Sequence, residues 1–225
     1  MNLHLLSTPG ERDIRYVLDA CRPYLQAVAD PLVAYLPLAS HANDWMEYTV
    51  RAFDGLGKIE KIDTDTLPLE AMTEILSRAA VAYISGGNTF LLNHRLHTSG
   101  LMPHLCQSAL NGLPIVGFSA GAILCGPNIL TTDDMNMIET TRFDGLNLSP
   151  FNFFAHYPED ESKREFSDAW LEWYHVYHEN PVILMADGAY LTANEHETIL
   201  VQGDAWVLRK GVQKEKLETG KAIFP

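Results

Sequence analysis

Short apolar runs and stretches of helical periodicity alternate along the first half of the chain. Leu3 to Leu6 predicts a short buried strand, and Thr8-Pro9-Gly10 breaks it before Ile14, Val17, Leu18 and Cys21 recur at the spacing of one helix face. Leu32 to Leu38 predicts a second strand. Asn43 is an N-cap candidate for a helix through Trp45, Tyr48, Val50 and Phe53 that ends at Gly55 or Gly57. The alternation continues with a strand over Lys58 to Ile62, a helix over Leu69 to Ala79 and a strand over Val81 to Ile84. Helices over Thr89 to Leu96 and Leu101 to Leu110 follow, then a strand over Pro114 to Phe118. Parallel strands need crossover connections, so this order predicts an α/β fold, a doubly wound, mostly parallel sheet with helices on both faces.

Beyond Ser119 the pattern changes. Gly, Pro, Asn and Asp punctuate residues 126 to 150, and one long helical stretch runs from about Glu161 to His178. Val182 to Ala186, Tyr190 to Ala193, Thr198 to Val201 and Ala205 to Leu208 read as short strands, with turns at Asp187-Gly188, Glu195-His196 and Gly203-Asp204. These strands are expected to form an antiparallel edge on the same sheet. The 225 residues suffice for one sizeable α/β core, and one domain spanning 1-225 is expected.

Composition narrows the function classes. With 16 basic against 29 acidic residues the formal net charge is -13, and no Lys/Arg-rich run is present. That balance argues against nucleic acid and against an anionic membrane surface. An acidic substrate would need a local cationic pocket, because the overall field repels it. The start, MNLHLLSTPG, lacks a basic segment and a long apolar run, and no stretch of about 18 uncharged apolar residues occurs, so a cytoplasmic protein is expected. Cys21, Cys106 and Cys125 are odd in number and scattered, which suggests free buried thiols. Glu195-His196-Glu197 is too weak a cluster to suggest a metal, and no cofactor is expected. The sequence does not set the oligomeric state; a homodimer is compatible with it.

Two segments carry chemistry. Gly117-Phe118-Ser119-Ala120-Gly121 follows an apolar strand and precedes Ala122-Ile123-Leu124, so a Gly-x-Ser-x-Gly pattern sits at a strand-to-helix junction. A serine there occupies a tight, strained turn that exposes its hydroxyl above the strand ends, and the N-H of Ala120 faces a developing oxyanion. The same five residues could also serve only close helix-strand packing. Ser85-Gly86-Gly87-Asn88-Thr89 again joins a strand to a helix, and its paired glycines allow close backbone approach and free N-H groups. The alternative is a plain turn with Asn88 or Thr89 as helix N-cap.

Taken together, SGGNTFLL, PIVGFSAGAI and ILTTDDMN, spread between Tyr83 and about Tyr190, resemble the peptidase E family of aspartyl dipeptidases, within the group with a class I glutamine amidotransferase-like fold. The resemblance implies Ser119 as nucleophile, with Gly86 or Gly87 and Ala120 forming the oxyanion hole. It implies His156, at the end of Phe151-Asn152-Phe153-Phe154-Ala155-His156, as the base. The family's acid is a glutamate in Pro-Glu-Gly; here Ala186-Asp187-Gly188 offers Asp187, one methylene shorter. Asp134 matches a further acidic position, with a role in orienting the site, binding a substrate amino group or shaping a turn. The chain order Ser, His, acid differs from that of α/β-hydrolases.

The resemblance further implies hydrolysis of dipeptides with an N-terminal aspartate, whose side chain would need an arginine clamp. Arg164, in Glu159-Asp160-Glu161-Ser162-Lys163-Arg164-Glu165, is the nearest candidate, in a shifted register and without the family's glycine. Asn88 is a further candidate for substrate contact. The expected function is therefore a serine peptidase acting on short peptide substrates through a Ser-His-Asp triad and an acyl-enzyme. A cyanophycinase-like serine amidase with another amide substrate, or a non-enzymatic protein using the glycine turn for a small anion, are the alternatives. A cysteine-nucleophile amidotransferase is disfavoured, since Ser occupies the elbow and Cys125 lies a turn further on.

Overall fold

The computed structural model describes residues 1–8, 14–40 and 46–225, so the turn residues Pro9 and Gly10 and the cap and helix start at Asn43 and Trp45 lie outside the described residues. The first half folds as strand β1 (Leu3–Leu6), helix α1 (Arg15–Leu25), β2 (Leu32–Leu36), α2 (Met46–Ala52), β3 (Lys58–Lys61), α3 (Leu69–Arg78) and β4 (Val81–Ile84). Helices α4 (Thr89–Thr98) and α5 (Leu101–Leu110), strand β5 (Ile115–Phe118) and the short helix α6 (Ala120–Ile123) complete it. Strands β1, β5, β4, β2 and β3 lie side by side in that order, each pair parallel, so the expected parallel sheet is present.

Strand periodicity decides what covers each face. Leu3, Leu5, Ala34, Leu36, Ala82, Ile84 and Ile115 point into a core shared with α3 to α6. Their alternates Leu6, Val33, Tyr35, Val81, Tyr83 and Val116 point the other way, against Val17, Cys21 and Leu25 of α1 and Phe53 after α2. Both faces are therefore dry, which is why these strands read as continuous apolar runs rather than alternating ones.

The second half departs from expectation in one respect. Its strands are β6 (Asn152–Phe154), β7 (Val182–Met185), β8 (Tyr190–Ala193), β9 (Thr198–Gln202), β10 (Ala205–Leu208), β11 (Glu215–Lys216) and β12 (Ala222–Ile223). Strands β8, β9 and β12 extend the main sheet antiparallel from β1, as expected of an edge. Strands β7 and β10 do not join them. They form a second, four-stranded sheet in the order β11-β10-β7-β6. The reason lies in the long helical stretch. It breaks at Arg164 into a 3-10 turn (Glu161–Lys163) and helix α7 (Glu165–Tyr177), and α7 is the crossover that sets β7 parallel to β6. The segment between α6 and β6 is irregular but tied down. The buried Asn152 side chain accepts from the Asn128 N-H at 3.0 Å and donates to the Tyr174 hydroxyl, so loop, second sheet and α7 share one polar contact.

One half-buried titratable group sits in the frame of the main sheet. His4, on β1, bonds through both ring nitrogens to the hydroxyls of Tyr190 and Tyr24, and burial pushes its pKa down to about 4 from 6.5. His4 is thus neutral in the folded chain, whereas the unfolded chain takes up its proton once the pH drops below 6.5. Stability is therefore fully present above pH 6.5 and falls as the pH is lowered towards 4, by about 3 kcal/mol in total. Urea denaturation at pH 7, 5.5 and 4.5 should show this slope in the wild type and lose that part of it in His4→Gln; equal slopes in both would assign the effect to other groups.

Candidate active site

Five parallel strands end at one edge, and the cleft above them, of about 590 Å³, is bordered by the loops that leave β1, β2, β4 and β5. Open α/β sheets bind ligands at the carboxyl ends of their strands. Ser119 occupies the single position between β5 and α6, with φ +52 and ψ -110, a region that non-glycine residues rarely adopt. The surroundings over-determine that conformation. The Ser119 N-H donates to the Leu6 carbonyl at 2.8 Å, and the Ser119 carbonyl accepts from Ala122 and Ile123 at 2.8 and 3.0 Å. Helix α6 lies so close to the sheet that a methyl group on Gly121 would collide with the Ile84 carbonyl.

The three residues expected to form a triad come together. Ser119 Oγ lies 2.8 Å from His156 Nε2, and His156 Nδ1 lies 2.8 Å from Asp187 Oδ1. The shorter acid is no obstacle, because the turn after β7 brings Asp187 into reach: the Gly188 N-H donates to the Thr8 carbonyl at 2.9 Å and the Ala189 N-H to the Ala186 carbonyl at 3.0 Å. His156 itself follows β6 at φ +60, so its backbone also leaves the favoured regions. With Nδ1-H donated to a carboxylate, Nε2 is the free lone pair aimed at the serine, the arrangement that lets an imidazole take a hydroxyl proton.

Gly86 sits directly against the nucleophile: a Cβ there would stand 3.1 Å from Ser119 Cβ. Gly87 has φ +136, open to glycine alone, and a side chain there would strike the Ala39 carbonyl. The N-H groups of Gly86, Gly87 and Ala120 have no backbone acceptor among the described residues, which leaves them available at the cleft.

Asp134 lines the cleft and accepts from the Thr89 N-H at 2.7 Å and the Thr132 hydroxyl at 3.0 Å, fastening the glycine turn to the loop opposite. Two expected substrate contacts are corrected. Asn88 is a helix cap: its side chain accepts from the Leu91 N-H at 3.0 Å and donates to the Met135 carbonyl at 3.0 Å. Arg164 is buried away from the cleft. Its guanidinium donates to the carbonyls of Pro158 and Glu159, each at 2.7 Å, and lies over the Trp206 ring at 4.6 Å, so it braces the loop after His156 instead of facing a substrate. Cys125 is buried, donates to the Gly121 carbonyl at 3.4 Å and has its thiol pushed up to about 12 by burial, so it is no nucleophile.

The model of peptidase family S51 matches residues 3–201. The chain belongs to peptidase family S51. It is 29% identical over 235 residues to peptidase E of Streptomyces coelicolor, covering 99% of this chain and 93% of that one. It is 27% identical over 228 residues to peptidase E of Escherichia coli O6:K15:H31, covering 98% and 99%. A solved peptidase from an acI-B1 Actinobacterium shares the fold at a TM-score of 0.74 and 16% identity, over 99% of this chain and 96% of that one. Membership of S51 makes the chain a peptidase and supports a serine peptidase activity.

Sequence reasoning missed Ser7. This buried residue at the end of β1 accepts the His156 N-H at 3.1 Å through Oγ and donates the same hydroxyl to Asp187 Oδ1 at 3.5 Å. One hydroxyl therefore touches both the histidine's strained backbone and the acid. Only an abrupt polar residue after LHLL marked it, and its partners lie 149 and 180 positions away. Ser7→Ala should keep the fold and KM while lowering kcat by roughly 10-fold, since small misplacements of reacting groups cost that much or more. A Ser7→Ala enzyme with wild-type kcat and an unmoved pH profile would show that the contact positions nothing.

Proposed function

We propose that the chain is a serine peptidase of short peptides in which Ser119 attacks the scissile carbonyl, His156 takes the Ser119 proton, and Asp187 holds the imidazole in the required tautomer. The observation that carries this reading is the continuous bond chain Ser119 Oγ, His156, Asp187 starting from a strained strand-to-helix turn. The tetrahedral oxyanion would face the N-H groups of Ala120 and of Gly86 or Gly87. His156 would then return its proton to the leaving amine as the C-N bond breaks, leaving an acyl-Ser119 ester that water, deprotonated by the same histidine, hydrolyses.

The finer reading, dipeptides with an N-terminal aspartate, rests on family resemblance. Against it stands the placement of Arg164. Around the nucleophile the described lining offers Tyr35, Tyr83, Phe118 and Ile123, with Asp133 and Asp134 as its carboxylates. Such a lining favours a neutral or apolar first residue over an acidic one, and places carboxylates where a free amino group could be met.

A dipeptide panel with acidic, amide, neutral and aromatic first residues tests both levels. Ser119→Ala should lower turnover by roughly 10⁴-fold or more on every substrate. Neutral first residues should be cleaved at least as fast as aspartate. Turnover confined to Asp-X dipeptides would restore the aspartyl reading, whereas activity that survives Ser119→Ala would sink the serine mechanism itself.

A further inference from the structure

The cleft continues past the nucleophile along the sheet face that α1 covers. Its lining there includes Tyr35 of β2, Tyr83 of β4 and Phe118 of β5, with Ile14 and Val17 from the N-terminal end of α1. Tyr35 and Tyr83 are register partners, and their rings stack with centroids 5.2 Å apart and planes 20° from parallel. The charged residues of the described lining, Asp133, Asp134 and His156, all come from segments beyond α6, so this lobe is neutral. One polar group stands out in it. Tyr35 is fully buried, at 0% exposure, and its hydroxyl has no hydrogen-bond partner among the described residues. A buried hydroxyl left unpaired is costly, and such groups are rare in folded proteins. A bound molecule that pairs with it removes that cost.

Building on the serine peptidase reading above, we infer that Tyr35 sets the specificity of the cleft. The preferred dipeptide then begins with tyrosine, whose phenol hydroxyl pairs with that of Tyr35. Strand register sets the reach. Tyr35 pairs with Tyr83 and Tyr83 with Val116, three residues before Ser119, so the tyrosine pair starts about 10 Å down the strands from the nucleophile. A substrate side chain that meets Tyr35 while its carbonyl faces Ser119 must be long, which removes aspartate, asparagine and serine.

The walls select among the long side chains. A charged tip would lose its hydration with no counter-charge in the lobe, which removes glutamate, lysine and arginine. Glutamine has the reach and a neutral tip but offers no ring to the aromatic walls of Tyr83 and Phe118. Phenylalanine offers the ring and leaves the Tyr35 hydroxyl unpaired. A phenol supplies both, and because each hydroxyl can donate or accept, the pair forms in either sense.

The test is kcat/KM for Tyr-Leu and Phe-Leu with the wild type and with Tyr35→Phe. The wild type should favour Tyr-Leu by roughly 10-fold, the worth of one buried neutral hydrogen bond, and Tyr35→Phe should bring the ratio to about 1. Without substrate, Tyr35→Phe should raise Tm by roughly 2–4 °C, since it deletes an unpaired buried group. A lower Tm would mean that the hydroxyl is already paired in the free protein, and would overturn the inference. Equal wild-type rates on the two dipeptides, or a tyrosine preference that survives Tyr35→Phe, would overturn it too while leaving the serine mechanism standing. If neither dipeptide is cleaved, calorimetric titration of L-tyrosinamide and L-phenylalaninamide into Ser119→Ala decides. Tyrosinamide bound roughly 10-fold tighter would uphold the Tyr35 contact apart from the peptidase reading; equal or absent binding would end it.

Discussion

The close approach of α6 to the parallel sheet is the constraint on which the site depends. Gly117 and Gly121 allow it, since a side chain at either would meet main-chain atoms of Gly121 or Ile84. With the helix that near, the chain has one residue in which to turn from strand to helix, and Ser119 takes the strained conformation that results. The strain is held by bonds to Leu6, Ala122 and Ile123 that belong to the sheet and the helix, so the hydroxyl is fixed by the most buried part of the molecule. A nucleophile placed in this way needs no loop to order around it.

The remaining groups reach Ser119 from different supports. The glycine turn comes from β4 in the main sheet, while His156 and Asp187 come from β6 and β7 in the second. What joins the two supports at the site is the end of β1: Ser7 touches His156 and Asp187, and Thr8 holds Gly188. This explains how an aspartate can stand where relatives of this type were expected to carry glutamate. The reach lost with one methylene is recovered by the backbone, because the Asp187-Gly188 turn is anchored to β1 and not left to the length of a side chain.

Much of this was legible in the sequence where the signal is local. The parallel strands are short apolar runs closed by turn residues, and both glycine-rich junctions lie at strand ends, so the fold class and Ser119 could be read directly. His156 and Asp187 came from resemblance to a family, not from spacing. The rest was hidden for a physical reason. Whether Val182 to Met185 joins the main sheet or a second one depends on what α7 crosses, and strand periodicity is the same in both cases. Arg164 looked like a substrate clamp because a charge in a polar segment gives no sign of direction. Its Trp206 partner lies 42 positions later, and the carbonyls it braces belong to a turn with no sequence signature.

That bracing gives Arg164 a different connection to the site. Its guanidinium holds the carbonyls of Pro158 and Glu159, two and three residues beyond His156, while Tyr157, directly after His156, is buried and bonded through its hydroxyl to Asp168 on α7 and to Lys214. His156 stands at φ +60 and cannot hold that backbone angle by its own preference. The angle persists because the chain is pinned on both sides, by β6 before it and by this cluster after it. Helix α7 therefore serves the histidine through Asp168, which takes the Tyr157 hydroxyl, and through Tyr174, which takes the Asn152 side chain on β6.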